Sequence, residues 1–246
     1  MSGGWFFALG AFGLGVLSGG TASIVGFGIG SLMTPFFATW VGMDVAVAGV
    51  TLPHLCATAL RCWRMRQAID RGVLVRFGLL SAVGGLGGAL AYAKLGPTTL
   101  GAVLGGLLVL TAVANLTGVF TRMQPKGAVV AAFGLASGFF GGIAGNHGGL
   151  RSAALTAFSL TPAAFVATST ATGLLVDLAR TPVYAAVSAS ALWAVRWPLV
   201  SATAGVLVGT IAGERILFGL SPATFRRVLS AAVGLLGVWM LARALL

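Results

Sequence analysis

"SGFFGGIAGNHGG", residues 137–149, sits inside an apolar run that extends from about residue 127 to 160. That run is nearly twice the length of one bilayer crossing, which takes about 20 residues. Glycine weakens a helix by about 1 kcal/mol per residue relative to alanine, so a cluster of glycines here favours a break, or a hairpin of two shorter helices. A second double-length run, about residues 5–42, is interrupted in the same way by "SGGTASIVGFGIGS", residues 18–31. The number of crossings, and so the whole topology, turns on how these two stretches are read.

Around them lie six further apolar runs, at roughly 44–60, 73–92, 98–120, 163–179, 193–213 and 221–245. The chain of 246 residues is 58% hydrophobic and only 8% charged, against about 25% charged in an ordinary soluble domain. Its mean hydropathy is +1.01. These figures specify an all-α polytopic membrane protein of about eight hydrophobic segments. An outer-membrane barrel would alternate polar and apolar residues, and this chain does not. Residues 1–4 carry no Lys or Arg ahead of the first run, so a cleaved leader is not expected and the first segment is read as retained.

The formal charge of +11 could suggest nucleic acid, but the basic residues fall one to three at a time between apolar runs. Such placement orients a membrane protein and meets phospholipid head groups. The lipid bilayer, not nucleic acid, is the expected partner. Cys56 and Cys62 lie on one expected helix, unsuited to a disulfide there and without companions for a metal, and are read as packing residues.

The two glycine-broken runs resemble each other. Setting residue i against i+119 pairs Gly15 with Gly134, Ser18 with Ser137, Gly19 with Gly138, Gly26 with Gly145 and Gly30 with Gly149. It continues to Thr51 with Thr170 and Arg61 with Arg180, and after a small gap Pro97 and Thr99 match Pro222 and Thr224. The expected organisation is one membrane domain of two homologous repeats, 1–123 and 124–246. The loop "RCWRMRQAIDRGVLVR", residues 61–76, has five arginines against Asp70, which assigns it to the cytoplasmic side. If each broken segment is a hairpin the repeats are inverted; if each crosses once they are parallel. Counting Arg and Lys by side scores both alike, whereas double length and the recurrence of inverted broken-helix pairs in transporters favour the inverted form.

Paired interrupted segments are the best sequence pointer to a transporter's substrate site, because broken helices expose backbone N–H groups and positive dipole ends near the midplane. On this ground Gly26, Gly28 and Gly30 of the first segment and Gly148 and Gly149 of the second are candidate contacts, although the first set could equally serve close helix packing. Asn146, His147 and Arg151 join the second. An arginine in hydrocarbon costs at least about 2.5 kcal/mol unless it is paired, solvated or snorkelling, so Arg151 asks for a reason: either it lies near a helix end and reaches head groups, or, as the glycine break beside it favours, it faces a water-filled site. In "FVATSTATGLLVDLARTPVY", residues 165–184, Thr170 offers a hydroxyl, Arg180 a positive charge, and Asp177 is one of only four acids in the chain. Asp177 and Arg180 can pair along their helix; alternatively Asp177, with His147, carries a coupled proton while Arg180 meets an anion. The corresponding first-half positions are Gly28 for His147, Leu32 for Arg151 and Thr58 for Asp177, so the polar chemistry is asymmetric. His54, beside Pro53, is read as a bonded packing residue and Arg61 as a helix anchor.

At these residues the sequence resembles the sulfite exporter TauE/SafE family, also called the toluene sulfonate uptake permeases. "GFGIGSLMTP", residues 26–35, is similar to that family's first glycine-rich motif, with Ile29 and Ser31 departing from the fuller glycine run. "GNHGGLRSAAL", residues 145–155, and residues 165–184 resemble second-repeat motifs of one branch. The resemblance implies a bacterial or archaeal inner-membrane permease, commonly an exporter, for sulfite, sulfonates or other small sulfur-containing anions.

The residues independently ask for a small anionic substrate, though not for sulfur. No cofactor or metal is expected. There is no Walker lysine and no HExxH, so neither ATP-driven transport within the chain nor hydrolysis is indicated. The leading expectation is a secondary transporter with possible proton coupling; an anion channel and a non-transporting scaffold or assembly factor are the rivals, and a homodimer is left open.

Overall fold

The computed structural model describes residues 3–25, 28–119, 126–145, 148–216 and 222–245, and among them every regular element is helical. Five helices lie in the first half: α1 (Gly3–Val25), α2 (Ile29–Val41), α3 (Met43–Arg64), α4 (Arg71–Tyr92) and α5 (Pro97–Thr117). Five lie in the second: α6 (Ala128–Ala144), α7 (Gly148–Leu155), α8 (Pro162–Ala194), α9 (Arg196–Ile216) and α10 (Pro222–Leu245). Six of these, α1, α3, α4, α5, α8 and α10, are long and apolar enough to cross a membrane, and α2 and α6 are shorter apolar helices. The protein is an all-α polytopic membrane protein.

Both double-length segments fold back as hairpins. Phe7, near the start of α1, stacks on Phe36 and on Trp40, near the end of α2, with ring centroids 4.9 and 4.0 Å apart. In the second half Leu155, ending α7, joins a cluster flanked by Val130 and Phe133 from the start of α6. The first reversal depends on Gly28, which has φ of +133° and whose absent Cβ would lie 2.7 Å from Thr21 Oγ1. Any other residue there is both strained and crowded. Gly28→Ala is therefore expected to destabilise the protein by about 1–3 kcal/mol, read as a lower unfolding midpoint of the detergent-purified protein.

Packing between the two sets of five is reciprocal. α1 lies along α9 and α4 along α6, both parallel, with backbones in close approach. A Cβ at Gly15 or Gly19 of α1 would strike the carbonyl oxygens of Ala202 or Val206, and Ser23 donates to the Thr210 carbonyl at 3.1 Å. In the other half Gly134, Gly138 and Gly142 of α6 lie against Phe77, Ser81 and Gly85 of α4. Moving the first three residues by 119 positions, and their partners by the Pro97-to-Pro222 spacing, converts one set of contacts into the other. Small residues are what such close backbone packing requires where lipid supplies no hydrophobic drive. On α4 the opposite face, Leu79, Val83, Leu86 and Leu90, is exposed as a lipid-facing surface should be.

α3 packs on α8 and α5 on α10, and both pairs run antiparallel. On α3 and α8, Thr58 meets Asp177 while Gly49 lies against Leu192. On α5 and α10, Gly101 faces Ala244 whereas Ala112 faces Gly234. α8 differs from its sequence reading: the run expected to stop near residue 179 continues through Pro182 to Ala194, with non-helical angles at Ser188. The hydroxyl of Thr181 is turned onto the Asp177 carbonyl, one turn back, beside the proline.

Candidate functional site

Asp177 is fully buried at the middle of α8, where α3 crosses it. A carboxylate in such surroundings must be hydrogen-bonded or paired. Its Oδ1 accepts from Arg180 Nε at 3.1 Å and from Arg180 Nη2 at 2.8 Å. Its Oδ2 is 2.6 Å from His54 Nδ1 and accepts from Thr58 Oγ1 at 3.0 Å. His54, expected as a bonded packing residue, is bonded, and its partner is Asp177: the turn of α3 next to Pro53 aims its ring across to α8. Thr58 and Asp177, which the offset of 119 sets against each other in the sequence, are bonded to each other where α3 crosses α8.

Arg180 pairs along its own helix, as its spacing from Asp177 allows, and its remaining reach goes to the hairpin. It donates through Nη1 to the Gly141 carbonyl, and the Tyr184 hydroxyl donates to the Gly142 carbonyl. Both carbonyls belong to the last turn of α6, the negative end of its dipole, and that of Gly141 also accepts from the Gly145 N–H at the cap. The guanidinium expected to face an anion is therefore placed on the C-terminus of α6, 1% exposed.

Arg151, on α7, is 3% exposed. Its Nε donates to Ser169 Oγ at 2.9 Å, and its guanidinium lies over Gly173, where any Cβ would come within 2.8 Å of Nη1. Beside it is Arg61, from the last turns of α3. Sequence made Arg61 the first of an interfacial arginine run, but it is 7% exposed and its Nη2 has no hydrogen-bond partner among the described residues. The correction has a simple cause: α3 ends at Arg64, so Arg61 is still one turn inside the bundle and faces the first hairpin.

Arg61, Arg151, His54, Thr58 and Thr170 line a small enclosed cavity whose remaining wall includes Gly28 and Ile29, the start of α2. It has room for about one water molecule. The first turn of α2 adds the positive end of a helix dipole. Above it the hairpins touch, with Gly30 against the Gly145 carbonyl so closely that a Cβ would not fit. Of the residues expected from sequence, Gly28, Arg151 and Thr170 meet at this cavity. Asp177 reaches its rim through His54 and Thr58, Gly30 supports the contact between hairpins, and Gly148 and Gly149 begin α7. Gly26, Asn146 and His147 lie outside the described residues.

His54, Arg61 and Gly173 were not singled out for the site in the sequence. One signal was available: the offset that matches Thr58 to Asp177 sets a hydroxyl opposite a carboxylate.

The family model described as Sulfite exporter TauE/SafE matches residues 11–240 of this chain. No curated protein and no solved structure matches it.

Proposed function

The chain belongs to the sulfite exporter TauE/SafE family, and on that premise we propose that it is a secondary transporter that binds a small sulfur-containing anion in the cavity between Arg61 and Arg151. Family membership makes it a multi-pass membrane transporter; sulfite or an organosulfonate, moved outward across a bacterial or archaeal inner membrane, is the substrate reading that goes with it.

The observation that carries the proposal is that two buried guanidiniums, Arg61 and Arg151, line one small cavity together with His54, Thr58, Thr170 and the start of α2. Burying two like charges is costly unless something negative joins them. An anion is what fits. The contracted cavity corresponds to an occluded state, and loading it requires the hairpin tips at Gly30 and Gly145 to part. Two homologous inverted halves, 1–123 and 124–246, would supply that motion, and the antiparallel course of α3 against α8 and of α5 against α10 supports this arrangement. Proton coupling is assigned to Asp177 acting with His54, the pair at the rim of the cavity.

The test is flux in vesicles containing the purified protein. Radiolabelled sulfite should enter saturably and faster when unlabelled sulfite is present inside, the exchange expected of a carrier. Absence of sulfite, sulfate, thiosulfate and sulfonate flux alike would overturn the proposal, and a non-saturating flux would replace the carrier by a channel.

A further inference from the structure

The geometry points to a phospholipid site at the corner between α8 and α9: the lipid phosphate sits on Arg196, and its two acyl chains lie in two grooves that flank the first turns of α9. Only Val195 separates the two helices, so Arg196 stands at the turn. Its Nη1 donates to the Trp193 carbonyl at 2.8 Å, and its guanidinium lies 4.8 Å from the Trp193 ring centroid and 5.6 Å from that of Trp197. These contacts fix the charge and leave further N–H donors for a phosphate. Among the described residues no carboxylate pairs with Arg196. Glu214, the one acidic side chain outside them, belongs to the far end of α9, about 27 Å away at 1.5 Å per residue. With Trp5 and Trp40, four of the chain's six tryptophans line these grooves, all exposed, as the aromatic belt of a membrane interface is.

The first groove, about 290 Å³, lies between α3, α8 and α9, and its walls are almost wholly apolar. It follows α8 from Trp193 to Thr181, about 18 Å at 1.5 Å per residue. One hydrocarbon leaflet is about 15 Å deep, so the groove runs from the head-group level to the midplane. It opens towards lipid past the exposed Leu52 and Val200. The second groove, about 760 Å³, lies on the other side of Val200, which lines both. One cation between two apolar grooves matches a ligand with one phosphate and two chains. The first chain ends against Thr181 and Tyr184, which bond to the Asp177 and Gly142 carbonyls, and the second lies against Trp5 and Trp40 at the open end of the first hairpin. Since Gly49 packs on Leu192, this corner is at the end of the bundle away from the arginine-rich segment 61–76, which sets the lipid in the outer leaflet.

Binding of phosphatidylglycerol to the delipidated full-length protein in detergent would be measured by native mass spectrometry, with lysophosphatidylglycerol as the single-chain probe. The native chain should hold one diacyl lipid at least about tenfold more tightly than the lyso form, and Arg196→Gln should weaken both at least about tenfold. Ala189 lines the first groove and Ala194 the second, both from exposed positions, so a phenylalanine at either fills a groove without entering the core. Ala189→Phe and Ala194→Phe should each bring diacyl binding down to the level of the lyso form, while lyso binding stays within about twofold of native. Equal binding of the diacyl and lyso forms by the native chain would overturn the site. So would native-like phosphatidylglycerol binding by Arg196→Gln or by both filled variants, which would leave annular lipid only, and so would a native chain that retains no lipid.

Discussion

Asp177→Asn is expected to lower the stability of the protein by about 3–5 kcal/mol, the usual result of removing one partner from a buried ion pair. The size follows from what is left behind. Arg180 is 1% exposed, and an amide in place of the carboxylate removes the charge that it pairs with. His54 and Thr58 lose the oxygen they share, which also loosens α3 from α8. The measurement is the unfolding midpoint of the purified variant in a mild detergent. Adding Arg180→Leu to Asp177→Asn should recover part of the loss, because the orphaned charge is removed; a double variant as unstable as the sum of the single ones would show that the two residues do not act together. An Asp177→Asn midpoint equal to that of the native chain would mean that the network contributes nothing to stability.

Arg151→Leu should have the opposite profile, a folded protein that no longer moves anions. Arg151 is held by a neutral partner, Ser169, and lies over Gly173, so its replacement by leucine is expected to cost less than breaking the Asp177–Arg180 pair, and it deletes a costly buried charge. The anion, by contrast, loses a charge-assisted contact in a dry site, worth about 2–5 kcal/mol, or roughly thirtyfold or more in affinity. Vesicle flux should fall by at least that factor at substrate levels below saturation, while the unfolding midpoint stays near native. Unchanged flux would remove Arg151 from the site. A large loss of stability would recast it as a structural residue joining α7 to α8 through Ser169.

These two residues also mark how far the sequence could be read. The hairpins were legible because their causes are local: a double-length apolar run and a glycine cluster decide them within about 30 residues. The matched Gly positions of the two broken runs lie, in the structure, at close backbone contacts with α9 and α4. Arg151 stood out because an arginine in such a run needs an explanation wherever it lies. Arg180 shows where this stops. Its type announces an affinity for negative charge, but whether that charge is a ligand, a carboxylate or the carbonyl end of a helix depends on which turn of α6 arrives beside it. Arg61 was misread for the complementary reason. Its neighbours in sequence are the arginines of a solvent-facing loop, whereas its neighbours in space are Gly28 and Arg151, from both hairpins. The bond from His54 to Asp177 joins residues 123 positions apart, and no pattern near either one reports it.

The reciprocal packing bears on how the chain is made. Ser201 donates to the carbonyl of Ala8, and Ser23 to that of Thr210, across 193 and 187 residues. The ribosome adds about 5–20 residues per second, so α1 spends on the order of ten seconds or more in the bilayer before α9 exists to cover Gly15 and Gly19. α6 never waits, since α4 is already in place when it is synthesised. The first hairpin is therefore the late-assembling part of a chain whose second hairpin docks on arrival. A nascent chain halted before residue 196 would present an unfilled glycine groove to the membrane's quality-control machinery, and one released after residue 216 would not.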